Sequence, residues 1–409
     1  MNIAAISLTP HDVSLCIIKD GEVYENTLEE RLSTFKKDGV QYFIYDRLSK
    51  FAYEYGLDKL LIANGSDEDY KLAEQYLDKY EINCHIDYIL EEHHLYHASS
   101  AFYASGFDEA ACLVMDGWGA CHKLKEIIET HTDIDTDSYD QELDDSRTKA
   151  VFAESSSVYM VKDHVFTPAG KHYYIVPESS TEDTHVSSVL NSQDYYSKLA
   201  KYHELEFSHC FGMGMMYGTL SEYLGFDRES CGKTMGLSAF GKEDPELPSF
   251  VEENKLYGNP SLFYYTRNFN GRYHPSLIHN NDFQKRANIA YKLQKSVEEA
   301  IVIRVGNILE NYPDTKNIVF SGGVALNICA NSAVKEKYPD LNFFVDPIAS
   351  DACQAFGMAQ YHNSDKKEYK PLESIYLGPK YDLQMKKIDI EIAVAKGNKK
   401  MYNKNINRE

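Results

Sequence analysis

Residues 92–119 read EHHLYHASSAFYASGFDEAACLVMDGWG. From His93 onward the stretch predicts an apolar helix. From Ala110 to Met115 it predicts a short buried strand that ends on Asp116-Gly117-Trp118-Gly119. His93 and His97 are four residues apart and lie one above the other on a helix face, whereas His94 is turned about 100° away. Two imidazoles on one face and a carboxylate at a strand end suit a metal ion. Glycines after that carboxylate suit the close approach of a phosphate. Isolated histidines are more often surface or satisfied core residues, so residue type alone leaves that plainer reading standing.

Toward the N-terminus, Asn2 to Ser7 is a short apolar strand and Thr9-Pro10-His11-Asp12 a turn. Val13 to Lys19 returns as a second strand, and Asp20-Gly21 makes a tight hairpin into Glu22–Leu28. The turn at His11 belongs either to an ordinary meander or to a ligand-facing end of the sheet. Glu29-Glu30-Arg31 and Lys36-Lys37 read as a solvated charged patch. Gln41 to Tyr55 is an amphipathic helix, Lys59 to Ala63 a strand, Asp67 to Tyr80 a helix, and Ile86 to Leu90 a strand leading into the histidine segment. Alternating strands and helices predict an α/β fold.

Toward the C-terminus, 121–206 changes character. Glu126 to Asp145 is acidic, Glu178 to Ser192 is polar, and Val151 to Val176 between them predicts two or three short strands. The region reads as a peripheral insertion. Phe211 to Leu224 predicts a helix. Gly232-Lys233-Thr234-Met235-Gly236-Leu237 suggests a loop with Lys233 poised for phosphate, although the glycine spacing is not that of a P-loop. Asp282 to Asn311 is a long helix. Asn317 to Phe320 is a strand ending in Ser321-Gly322-Gly323-Val324-Ala325-Leu326-Asn327. Backbone N–H groups there could hold a phosphate or ribose at a helix start, or merely turn the chain. Asn342 to Val345 is a further strand. Asp351 stands at the next helix start, where a capping role would suffice. Beyond Asn363 the chain is polar and Lys-rich.

The 409 residues exceed what one core usually organises, so two lobes are expected. Hydrophobic content of 43% and charged content of 26% describe a globular chain. A net charge of -21 disfavours duplex DNA as a broad-surface partner while leaving room for a local nucleotide pocket. The 8 Cys form no CxxC pair, which suits a reduced, cytoplasmic setting. The first residues lack a basic, signal-like segment, and no apolar run approaches the about 18 residues of a membrane span.

Six motifs, in this order, carry a resemblance: HDVS at 11–14 with KDGE at 19–22, EERLS at 29–33, HHLYHASSAFYASGFDEAACLVMDGWG at 93–119, GKTMGLSAFGK at 232–242, SGGVALNICAN at 321–331 and DPIASDACQAFGMA at 346–359. Together they resemble the NodU/CmcH family of O-carbamoyltransferases. The resemblance implies an α/β, two-lobed actin/Hsp70/sugar-kinase-like (ribonuclease H-like) fold, here with an inserted β-rich flap. It divides the chain into a first lobe at 1–120, the insertion at 121–206, a second lobe at 207–370 and a tail at 371–409. ESIYLGPKYDL at 373–383 resembles the start of the YrdC-like domain that follows in the family.

By the same resemblance His93, His97, Asp116 and Asp351 are metal ligands, with iron(II), or manganese or zinc, as the metal. Gly322, Gly323 and Asn327 match the nucleotide loop, Gly117 and Lys233, read above as suited to phosphate, are added to the nucleotide contacts, and His11 with Asp12 is catalytic. Where the family carries an Arg and a His after EER, this chain has Thr34 and Lys37. The implied reaction moves a carbamoyl group from carbamoyl-adenylate, made from carbamoyl phosphate and ATP, to a hydroxyl of a small molecule or sugar. A separate YrdC-like protein is the expected partner for donor formation, and a homodimer is the assembly allowed. The rival readings are a non-catalytic nucleotide-binding regulatory module and a tRNA threonylcarbamoyl transferase; four intact ligands speak against the first, the acidic charge against the second.

Overall fold

The computed structural model describes residues 1–35, 41–89, 92–133, 151–176, 200–201, 204–208, 211–251, 263–264, 272–273, 277, 281–363, 372 and 374–379. Fourteen strands are defined among them: β1 (Ile3–Ser7), β2 (Ser14–Lys19), β3 (Glu22–Leu28), β4 (Lys59–Ala63), β5 (His85–Tyr88), β6 (Glu109–Met115), β7 (Cys121–Lys123), β8 (Val151–Lys162), β9 (Val165–Val176), β10 (Glu204–Ser208), β11 (Phe263–Tyr264), β12 (Arg272–Tyr273), β13 (Asn317–Ser321) and β14 (Asn342–Val345). The first sheet has the order β3-β2-β1-β4-β5. Its β1–β2 and β2–β3 pairs are antiparallel, and its β1–β4 and β4–β5 pairs parallel.

The second sheet repeats that plan. Its order is β10-β9-β8-β6-β13-β14, with β7 also pairing β8. Strand β6 takes the place of β1, β8 and β9 those of β2 and β3, and β13 and β14 those of β4 and β5, with the same antiparallel and parallel pairings. Two copies of one ribonuclease H-like sheet make this the two-lobed actin/Hsp70/sugar-kinase-like fold.

The central strands are continuous apolar runs because both faces are covered. Alternation along β1 separates Ala4 and Ile6, which meet Ile44, Leu48 and Leu77 of the helices Phe43–Tyr55 and Asp67–Lys79, from Ile3 and Ala5 on the other face. Along β6, Ala111 and Leu113 face the helices Met213–Tyr223 and Phe283–Asn311, while Ala110, Cys112 and Val114 face the opposite way. Between the sheets lie two further helices, His93–Ser105 and Gln354–His362, in one shared core with both inner faces. Five layers result: helices, sheet, helices, sheet, helices.

The helix His93–Ser105 is buried over almost its whole length, as its apolar circumference requires, and stops at Gly106 in the left-handed conformation. It touches its layer partner closely. A Cβ on Gly357 would lie 1.9 Å from the Tyr96 carbonyl oxygen, and Ser99 Oγ donates to the Gly357 carbonyl at 2.8 Å. At the end of β13, Gly322 has φ +90°, and a Cβ there would lie 2.3 Å from the Met115 carbonyl oxygen, so only glycine lets these two strand ends abut.

The region 121–206 differs from its expectation. Strands β8 and β9, each of 12 residues, are interior members of the second sheet, beside β6. Their polar residues are buried and satisfy one another: Lys171 Nζ pairs with Glu154 and donates to Tyr159 OH at 2.7 Å, and His172 bridges Ser155 Oγ at 2.5 Å and Ser208 Oγ at 3.1 Å. The lobes therefore divide before β6, between residues 88 and 109, where the histidine helix crosses from one sheet to the other. The acidic run beyond residue 133, the polar run 178–192 and most of the tail 371–409 lie outside the described residues. No helix among the described residues is long and apolar enough to cross a membrane.

Candidate metal centre and cleft

Four side chains converge where the histidine helix meets the ends of the second sheet. His93 and His97 come from the first turns of that helix, Asp116 from the residue after β6, and Asp351 from the turn before the helix Gln354–His362. One ligand atom from each lies within 4.8 Å of all the others. His93 Nε2 is 3.0 Å from Asp116 Oδ2 and 3.4 Å from Asp351 Oδ1; His97 Nε2 is 3.4 Å from each of the same two oxygens. The two Nε2 atoms are 3.2 Å apart.

These spacings suit a metal. Ligands about 2.1 Å from an ion at tetrahedral angles stand about 3.4 Å apart. Calcium, with six to eight oxygens at about 2.3–2.6 Å, would need a wider, all-oxygen cage. A mixed imidazole–carboxylate set fits zinc, iron or manganese. His94 is in the same helix but points away: its Nδ1 is 2.7 Å from Ser157 Oγ of β8.

Burial alone would lower the pKa of His93, but the Asp351 charge and hydrogen bonds to Asp116 and Asp351 raise it to about 9. His97 is raised too, burial being overcome by the interaction with Cys353 and by hydrogen bonds to the same two carboxylates. Burial would raise Asp116 and Asp351, yet the imidazoles hold both below the ordinary carboxylate range. Without an ion the four side chains thus form a buried ion-pair cluster, and an ion entering it displaces protons.

The two carboxylates of the cluster, Asp116 and Asp351, line a cleft of about 550 Å³. His11, Asp12, Asp116, Gly117, Gly323, Asn327 and Asp351 all line it; Gly322 and Lys233 do not. Lys233 lies on the helix Cys231–Ser238, where a loop was expected, and is exposed; its neighbours Cys231, Gly232 and Met235 reach the cleft instead. The backbone N–H groups of Gly117 and Gly323 both donate to Asp116 Oδ1, at 2.8 and 3.0 Å. In this state they orient the carboxylate rather than point at a phosphate. Asn327 caps the helix Ile328–Lys337 by accepting from Ala330 N–H at 3.1 Å, and its amide pairs with Gln294.

His11 Nδ1 donates to Asp12 Oδ2 at 2.9 Å, which leaves Nε2 as the basic nitrogen, 3.8 Å from Asp351 Oδ2. Sequence reasoning missed the apolar far wall, built by Met213, Tyr217, Met235 and Val297, and the guanidinium of Arg228 in it. Apart from Met235, which lies in GKTMGLSAFGK, no short motif marks those positions.

Comparison with known proteins gives the chain relatives. A family model described as "Carbamoyltransferase N-terminus" matches residues 145–360. The "Uncharacterized protein sll1178" of Synechocystis sp. is 24% identical over 318 residues, 72% of this chain and 40% of that protein. The "Nodulation protein NolNO" of Sinorhizobium fredii is 22% identical over 404 residues, 90% of this chain and 49% of that protein. The chain thus spans less than half the length of these two relatives. Among solved structures, full-length HypF in a phosphate- and nucleotide-bound form superposes with a TM-score of 0.46 at 12% identity, covering 88% of this chain and 55% of that one. His93, His97 and Asp116 precede the matched segment, whereas the Gly322-Gly323 turn and Asp351 fall inside it, and that segment takes in more than half of the residues: the chain belongs to the carbamoyltransferase N-terminus family.

Proposed function

We propose that this chain transfers a carbamoyl group from carbamoyl-adenylate to a hydroxyl of a small molecule or sugar. The observation that carries the reading is that Asp116 and Asp351, two members of a four-residue cluster that could hold a metal, line one cleft with the His11–Asp12 pair, with His11 Nε2 3.8 Å from Asp351. Family membership supports carbamoyl transfer; the donor, the acceptor and the residue roles are this reading's own.

On this reading His93, His97, Asp116 and Asp351 hold iron(II), manganese or zinc. Bound there, the ion would act as a Lewis acid on the donor's phosphate or carbonyl oxygen. The apolar wall of Met213, Tyr217 and Met235 receives the adenine, and Arg228 offsets negative charge. His11, its tautomer fixed by Asp12, takes the proton of the acceptor hydroxyl. The acceptor oxygen then bonds to the carbamoyl carbon, the carbon–oxygen bond to the phosphate breaks, and AMP leaves. Carbamoyl-adenylate is made by a YrdC-like active site acting in cis or in trans.

The test supplies the purified protein with metal, labelled carbamoyl phosphate, ATP, a YrdC-like protein and a panel of hydroxyl acceptors, and follows label into product. Label transfer that depends on this chain and drops at least about 100-fold in His11→Ala supports the reading, since general base catalysis contributes about 10²–10⁴. Equal transfer by His11→Ala would remove His11 from the chemistry, and failure to bind AMP in calorimetry would remove the donor.

A further inference from the structure

Behind His97, on the side away from the cleft, stands a second buried polar group. Asp346, 2% exposed, follows β14. Its Oδ2 accepts from Ser321 Oγ at 2.9 Å and Ser100 Oγ at 2.8 Å, and its Oδ1 from Ile348 N–H at 3.0 Å. Burial raises its pKa, and these three donors work against that by favouring the carboxylate as acceptor. Ser321 Oγ also lies 3.4 Å from His97 Nδ1, and Cys353 Sγ lies 3.1 Å from the same nitrogen.

A hydroxyl has one proton. With that proton committed to Asp346, Ser321 can face His97 only as an acceptor. His97 must then carry its ring proton on Nδ1 and present the Nε2 lone pair to the centre. We propose that Asp346 is the positioning residue of the metal centre, setting the direction of the Ser321 hydroxyl and through it the metal-binding tautomer of His97. This rests on the metal centre of the reading above. If residue 346 could donate, the Ser321 proton would be released toward Nδ1 and favour the tautomer whose Nε2–H blocks the ion.

The test is metal affinity by chelator competition, together with the absorption spectrum of the cobalt(II)-loaded protein. Asp346→Asn, which can donate from its amide, should weaken binding by about 10–100-fold, the usual effect of losing such an outer partner. Ser321→Ala should weaken it less, because Cys353 still accepts from Nδ1. In the Ser321→Ala background, Asp346→Asn should add nothing. A further loss in the double variant as large as in the single one would mean that the lost charge, not the relay, is responsible, and would overturn the proposal. So would wild-type affinity in Asp346→Asn. Should that variant not fold, Asp346→Ser, whose hydroxyl also donates, replaces it with the same expectations. Absence of metal uptake by the wild-type protein would refute the centre itself and the relay with it; uptake by wild type and Asp346→Asn alike would refute the relay alone.

Discussion

Lowering the pH of the metal-free protein should destabilise it, and His131 should account for a measurable share of the effect. His131 is buried beside Tyr173, with Nε2 2.9 Å from Tyr173 OH, and is faced by Lys171, Glu154, His122 and Lys201. Burial, then the positive charge of Lys171, pushes its pKa down to about 3. In the unfolded chain it returns to about 6.5. The folded state therefore resists a proton that the unfolded state accepts. Stability from this group is complete above pH about 6.5 and falls by about 1.4 kcal/mol per unit below it. At pH about 5 the loss is about 2 kcal/mol. His94, buried and likewise pushed down to about 3 chiefly by burial, doubles this to about 4 kcal/mol, a large part of an ordinary domain's 5–15 kcal/mol. His93 and His97 act oppositely: their raised pKa values give stability that is full below about 6.5 and is lost as pH rises, toward about 9 for His93, so they add no slope in the acid window. Denaturant titrations between pH about 6 and 5, read from the fluorescence of the single tryptophan, should give a loss of about 2.4 kcal/mol from the two buried histidines in the wild type and about half that in His131→Gln, which keeps a partner for Tyr173. An unchanged slope in His131→Gln would refute the reasoning.

Three further outcomes follow from the same geometry. The His93→Ala, His97→Ala double variant should retain no stoichiometric metal by elemental analysis, and retention of the wild-type ratio would dismiss these ligands. Lys171→Met should cost about 3–5 kcal/mol in denaturant unfolding by leaving Glu154 buried and unpaired, and adding Glu154→Leu should recover most of it; an additive second loss would count against the pair. Gly357→Ala should lower stability by at least about 1–3 kcal/mol through overpacking against Tyr96, and should weaken metal binding as well; an unshifted melting temperature would contradict the close contact.

The first sheet was readable because its strands and helices alternate cleanly and its hairpin turns on Asp20-Gly21. The four-residue cluster is half readable: helical spacing singles out His93 and His97 over His94, but Asp351 on spacing alone is an ordinary cap, and only the family resemblance adds it to the proposed ligand set. Strands were expected across Val151–Val176, but the acidic and polar runs on either side made the region read as peripheral rather than as part of a central sheet. Glu154, Lys171, Ser155 and His172 are interior residues that neutralise one another across the sheet, a pairing visible only once β8 lies beside β9. Lys233 was misread for the reverse reason: Gly232 and Gly236 suggested a loop, whereas packing of Thr234 and Leu237 holds a helix there that turns the lysine outward. Ser321 and Asp346 open two of the resembling motifs, but the sequence assigns them no part, since that part is defined by the hydrogen bonds that join Asp346 to Ser321 and Ser321 to His97.

The chain passes between its two sheets only twice among the described residues, through the histidine helix and through Gln354–His362, and Gly357 presses these two crossings together. Mechanically they form an axle. Any change in angle between the lobes must turn about it, because the sheets themselves are rigid hydrogen-bonded plates. His93 and Asp351 sit at the start of the two crossings and so sweep the shortest arcs. Glu30, from the first lobe, and Arg228, from the second, stand on the cleft wall and sweep longer ones. A turn about that axle would widen or narrow the cleft while the four side chains at the pivot kept their spacing.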